Sequence, residues 1–157
     1  MGLIADPTKN PDLIAFKEAK TAVIQTIKLL NLEGLENRVY DQINEKGDKT
    51  NVSYPCVICY TEGLVPKVLS GDSVLTQYEF PVGVAILDDP GSKVHEKEML
   101  YVVWLKRIID SLHQQRLIGQ HPITSRVEHG TMLNKKIPLY QGIKSNMTVW
   151  CLMWDDR

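Results

Sequence analysis

Cys56 and Cys59 stand three residues apart, a CxxC pair that raises redox or zinc chemistry. Their surroundings argue against both. The run Tyr54-Pro-Cys-Val-Ile-Cys-Tyr-Thr61 reads as a strand, and residues three apart on a strand point to opposite faces, so the two sulfurs diverge. A redox pair belongs at a helix N-terminus that lowers the thiol pKa, and no second cysteine pair completes a zinc tetrahedron. Buried, apolar cysteines are the expectation.

The other reactive side chains are as dispersed. His95, His113, His121 and His129 form no HxxxH, HExxH or His-Cys pair at metal-ligand spacing, so solvated or capping roles are expected. Ser70-Gly-Asp-Ser73 has turn composition and lacks the GxSxG elbow of a serine hydrolase. The ten glycines occur singly, without a phosphate loop or dinucleotide fingerprint. Asp88-Asp89 and Asp155-Asp156 are expected in loops or at the terminus, solvated and with untuned pKa values. The residues therefore offer no catalytic, metal or cofactor site, and a protein that works by assembly with others is the first expectation.

The elements that would position these residues follow from periodicity. After a polar arm, 1–11, Phe16, Ala19, Val23, Ile27 and Leu30 recur at helical spacing on one face, and Asn31 and Gly34 suit the helix end. Residues 41–53 are polar and aperiodic, a loop. The strand 54–61 then leads through Glu62–Leu69 and the turn 70–73 into a returning strand 74–87, a long antiparallel hairpin. Phe80, Val82, Val84 and Ile86 make its core face; Glu79, Pro81, Gly83 and Ala85 make the other, small and mixed.

A second helix is predicted from about Val94 to Leu117, with Tyr101, Val102, Leu105, Ile108, Ile109 and Leu112 as its core arc. The irregular segment 118–146 holds two short candidate strands, 123–129 and 137–141. The chain closes with Met147–Trp154, apolar on both faces, a central strand or one with a face given to an interface. The fold class is α+β: an antiparallel or mixed sheet with two main helices packed on one face.

Bulk properties bound the function. At 157 residues the chain fits one domain, and 24% charged with 43% hydrophobic residues is ordinary globular composition. Eighteen basic and nineteen acidic side chains, net −1, argue against nucleic acid, and Lys135 and Lys136 read as a solvated loop tip. No apolar run reaches the ~20 residues that span a bilayer. The polar start lacks a secretion-signal pattern, and an odd cysteine count suits a reducing compartment, so synthesis in the cytosol is expected.

Apolar side chains are left over once this core is filled. Met99, Leu100, Val103 and Trp104 fall on or near the side of the second helix opposite its core arc. Together with Leu64, Val65, Val68 and Leu69 near the hairpin tip, and Trp150 and Trp154 on the last strand, they are the candidate subunit contacts, since aromatic residues anchor interfaces. On this reading Trp104→Ala weakens association more than folding.

The order of these elements resembles the tail-terminator or tail-completion proteins at the neck of tailed bacteriophages. A long helix, the link Asn37-Arg-Val-Tyr40, a hairpin, a helix over the sheet and closing strands carry it, through the segments 54–63, 80–88 and 101–110. The resemblance covers most of the chain by architecture, with a longer segment before the last strand than that pattern has. It implies a virion protein without catalytic residues or cofactor, forming a homo-oligomeric, commonly hexameric ring that ends the tail tube and joins it to the head connector. Its partners would be copies of itself and other neck, connector and tail-tube proteins, without membrane or specific nucleic acid. The alternatives are another neck or tail protein, or a small intracellular enzyme or ligand-binding domain with a site built from loops.

Overall fold

A computed structural model describes residues 11–43, 46, 48–61, 67–71, 75–117, 123–128 and 140–156, leaving aside the side chains of 11–16, 67–71, 75–78, 94 and 154–156. The chain is α+β, two helices and a mixed sheet curled into a half-barrel. Helix α1 spans Pro11–Leu29. Strands β1 (Val39–Asp41), β2 (Cys56–Thr61), β3 (Lys67–Gly71) and β4 (Leu75–Leu87) follow, then helix α2 (Val94–Leu112) and strands β5 (Gln115–Leu117), β6 (Ile123–Glu128) and β7 (Ile143–Asp156).

The sheet order is β1-β2-β4-β7-β6-β5, with β3 also paired to β4. Among the described strands only β1 runs parallel to its partner, β2; the other pairs are antiparallel. The expected hairpin is present, and its outgoing limb is divided between β2 and β3. The change of partner along β4 falls between Val82 and Glu79, around Pro81, which has no N–H to give a ladder. Strand β7 pairs with β4 from Leu75↔Asp156 to Leu87↔Ile143, and with β6 on its other side. It is an interior strand, as its two apolar faces suggested.

The helices pack on one face of this sheet. On α1, Ala19, Ala22, Val23, Ile24 and Ile27 are buried, and Asn31 ends the helix in the left-handed region at φ 47°. From the sheet, Val57 and Cys59 of β2, Phe80 to Ile86 at every second residue of β4, and Met147, Val149, Cys151 and Met153 of β7 join them in one core. The other face of β2 and β4 is buried too. Cys56, Ile58, Tyr60, Ala85 and Leu87 pack there with Tyr140, whose hydroxyl donates to the carbonyls of Gln42 (2.7 Å) and Thr50 (3.0 Å). The loop after β1 thus covers the face that the sequence left small and mixed.

Cys56 and Cys59 sit in these two different cores, so the pair does diverge across the sheet. Burial pushes the Cys56 and Cys151 thiols up to about 12 and raises Cys59 further. All three thiols keep their protons at neutral pH.

Four expectations are corrected. Helix α2 stops at Leu112, because His113 is extended, Gln114 adopts φ 54°, and 115–117 turn back to pair with 123–125. Ser125 fastens that return, its hydroxyl donating to Leu112 O at 2.5 Å. Arg116 therefore lies in β5 and not in the helix's last turn. Of the segment 137–141, residues 137–139 lie outside the described residues, and 140 and 141 are not strand. Asp88 is no solvated loop carboxylate. It is 2% exposed and accepts hydrogen bonds from the Tyr101 hydroxyl (2.7 Å), Lys97 Nζ (2.9 Å) and the Asp89 amide (2.7 Å). Asp155 and Asp156 belong to β7 and not to a terminal loop.

Burial alone would raise the Asp88 pKa, but the Tyr101, Lys97 and amide hydrogen bonds outweigh it and hold the carboxyl below its usual range. The folded-state pKa is depressed, so the stabilisation is complete above the unfolded value, roughly pH 4, and is lost as pH falls through the folded one. The melting temperature of the Asp88→Asn variant should accordingly fall less than wild type when pH is taken below about 4. Parallel melting curves would remove Asp88 from the acid response.

Candidate functional site

What faces outward on α2 is decided by two anchors. The Tyr101 hydroxyl is held by Asp88 at the end of β4, and Trp104 Nε1 donates to Glu33 O at 2.8 Å in the turn after α1. The Trp104 ring lies against Gly34, where a Cβ would stand 3.1 Å from Cζ2, and Gly34 has φ 89°, a conformation glycine adopts freely. Tyr101, Trp104, Ile108 and Leu112 form the buried stripe, with Leu105 and Ile109 half-buried beside it.

This corrects the rotation expected of the helix. Trp104 is core, 1% exposed, while Val102, assigned to the core, is 50% exposed. The physical reason is the turn at Glu33 and Gly34, which gives the indole both a hydrogen-bond acceptor and room. A stripe at steps of three, four and four from Tyr101 was readable in the sequence and would have found it.

With the stripe fixed, Met99 (77% exposed), Leu100 (39%), Val102 and Val103 (45%) form a contiguous apolar strip on the outer side of α2, because residues three and four apart are neighbours on a helix. Beyond Val103 the strip continues into exposed Lys106, Arg107 and Asp110, with Lys106 and Asp110 paired at 2.7 Å. At its start Lys97 has non-helical backbone (φ −122°, ψ 15°), and its ammonium is spent on Asp88.

A second surface lies on the helix-free face of β6 and β7. Arg126 forks onto Glu79, Nε to Oε1 and Nη2 to Oε2 both at 3.0 Å, with its guanidinium carbon 5.5 Å from the Trp150 ring centre. The Glu79 hydrogen bonds raise the Arg126 pKa against the opposing effect of burial. Trp150 Nε1 donates to Glu128 Oε2 at 2.5 Å. Trp150 and Leu152 are half-buried, as is their neighbour Thr148.

Of the remaining candidate contacts, Leu64 and Val65 lie outside the described residues. Val68 and Leu69 belong to β3, where the register shifts between Val68 and Ser70, and Trp154 of β7 pairs with Gln77 of β4; their side chains are not among those described. The chemically reactive residues do not converge. His95 and His113 are exposed, and His113 Nδ1 accepts the Val127 amide hydrogen at 3.1 Å, while His121 and His129 lie outside the described residues. No group of three or more His, Cys, Asp or Glu among the described residues is placed to hold a metal ion. A cavity of about 350 Å³ between Lys49 and Tyr140 is lined by seven residues without a histidine or carboxylate.

No family model matches the chain, and no curated protein matches it. A solved structure whose name gives no function is similar over 95% of this chain and 96% of its own, at 13% identity and a TM-score of 0.38. So distant a likeness carries no argument. The described residues contain no helix long and apolar enough to cross a membrane.

Proposed function

We propose that this chain is a structural subunit of the head-tail junction of a tailed bacteriophage. It acts by assembly and not by catalysis, forming a homo-oligomeric ring, six-fold by the family resemblance, that ends the tail tube and joins it to the connector. One observation carries the reading: the anchored helix α2 presents Met99, Leu100, Val102 and Val103 to solvent. A run of adjacent exposed apolar side chains on a rigid element marks a contact site, whereas single exposed ones need no explanation. The element order that suggested the phage neck, from the long first helix to the closing strands, is the order of this fold.

The rival reading, a loop-built enzyme or ligand site, requires convergent acids and bases. The cavity between Lys49 and Tyr140 offers one ammonium and two phenols. Both phenols already donate to main-chain carbonyls, Tyr54 to Gln141 and Tyr140 to Gln42 and Thr50.

Light scattering on the purified chain should give a particle of several copies of the 17.8 kDa subunit, or a ring once neck proteins are added. The double variant Met99→Asp, Val103→Asp should be monomeric, with a melting temperature within about 2 °C of the wild-type subunit, since exposed substitutions shift stability by only ~0.5 kcal/mol. A wild-type chain that stays monomeric and ignores connector and tail-tube proteins would end the proposal.

A further inference from the structure

The first turns of α2 have almost nothing beneath them. From His95 to Leu100 no residue is buried: Lys97 is half-buried and the others are exposed. Core contact begins at Tyr101. The helix start has no side-chain cap hydrogen bond, and among the described residues the side-chain tie from 95–100 to the body of the protein is Lys97 Nζ on Asp88, at 2.9 Å. We infer that residues 94–100 are a segment that opens separately from the rest of α2, and that Asp88 is the latch holding it closed.

The backbone marks the joint. Within α2, Lys97 has non-helical φ −122° and ψ 15°, and it stands where two constraints meet. Upstream, the turn before the helix is fastened to the sheet side: the Asp88 amide donates to Gly142 O at 2.9 Å, and Lys144 of β7 reaches Ser92 O. Downstream, Tyr101 and Trp104 seat the helix on Asp88 and on the turn after α1. A residue at the end of an element that takes up the difference between two fixed bodies is what a hinge requires. Stretches with few buried contacts are also the ones that open at low cost, ahead of the whole fold.

Acid is the trigger that this chemistry names. The charged and titratable groups around Asp88 are Lys97 and Tyr101 of α2, Asp89 beside it, Cys56 of β2 and, on the same turn, Lys144 of β7. A protonated Asp88 still has Tyr101 as a partner but no longer attracts the ammonium. Its carboxyl is held below the usual range, so the latch is closed above roughly pH 4 and opens as pH falls further. Met99 and Leu100 belong to the segment, and Val102 and Val103 lie beyond it. Opening would therefore take half of the outer strip off its mount. That effect on assembly rests on the ring reading; the opening itself does not.

The test is amide hydrogen exchange on Lys97→Met and Asp88→Asn at pH 7. Lys97→Met leaves Asp88 its Tyr101 and amide partners, and it carries the test alone if Asp88→Asn does not fold. In the variants the amides of 98–101 should exchange at least about tenfold faster than in wild type, as expected for loss of a hydrogen bond to a charged group, while those of 105–112 keep their rates. Wild type taken below about pH 4 should show the same pattern once intrinsic exchange rates are allowed for. Unchanged exchange at 98–101 would show that Asp88 is no latch, and acceleration spread evenly to 112 would show that α2 opens as one unit. Light scattering on Lys97→Met then reads the consequence: assembly should need several times more protein, and assembly equal to wild type despite faster exchange would overturn the link to the strip. A wild-type chain that never assembles ends the ring reading and leaves the exchange result standing.

Discussion

Replacing Gly83 by alanine should cost the fold about 3 kcal/mol, the upper range for overpacking a core. The direction is informative. A glycine inside a strand is ordinarily worse than alanine by about 0.5–1 kcal/mol, so a neutral site would gain from the change. At Gly83 a Cβ would lie 2.2 Å from Tyr60 Cζ and 2.3 and 2.6 Å from the two Cε atoms, inside the ring's own space. Tyr60 is the direct partner of Gly83 across β2 and β4, is 5% exposed, and cannot swing away without leaving its own core. Urea unfolding should show the penalty in wild type and show most of it gone in a Tyr60→Ala background, where the added methyl has room. Equal costs in both backgrounds would mean that the ring is not what glycine accommodates.

The Trp104→Ala variant should lose about 3–5 kcal/mol, the usual cost of deleting a buried large aromatic. For a chain of this size that lowers the melting temperature by on the order of 10 °C. The indole lies between α2 and the turn after α1, against Gly34, and donates to Glu33 O, so its removal leaves a cavity and an unmade hydrogen bond while Tyr101 still ties α2 to Asp88. Below the melting transition, the association of the folded fraction should change little. The sequence reading expected the reverse, association weakened more than folding. Paired calorimetry and light scattering separate the two, and a variant that melts like wild type but dissociates would return Trp104 to the surface.

Much of the fold was readable where periodicity is local. Helix α1, the hairpin around β4, the start of α2 and the doubly apolar β7 each announce themselves within a dozen residues. What escaped depends on partners far along the chain. Trp104 turns inward because of Glu33 and Gly34, about seventy positions earlier. Asp88 is buried because Lys97 and Tyr101 reach back to it. Strand β1 is too short to carry a period, and it exists because β2 offers it an edge.

The candidate surface was legible to the same degree. Met99, Leu100 and Val103 were picked out as surplus and do face solvent. Val102 and Trp104 exchanged roles, since apolarity fixes how many side chains a helix must bury but not its angle of roll. Leu152 shares the face of Trp150 by the strand's own alternation, whereas Arg126 was missed because a salt-bridged arginine looks ordinary until the register sets it opposite Trp150.

The two anchors of α2 also define a path for force. A pull on Met99 or Val103 passes through Tyr101 into the end of β4 and through Trp104 into the turn behind α1, so the load divides between the sheet and the first helix. Neither anchor is a flexible tether. In the proposed assembly, a neighbour gripping this helix would hold the whole subunit stiffly, and strain applied to one copy would travel to the next with little slack.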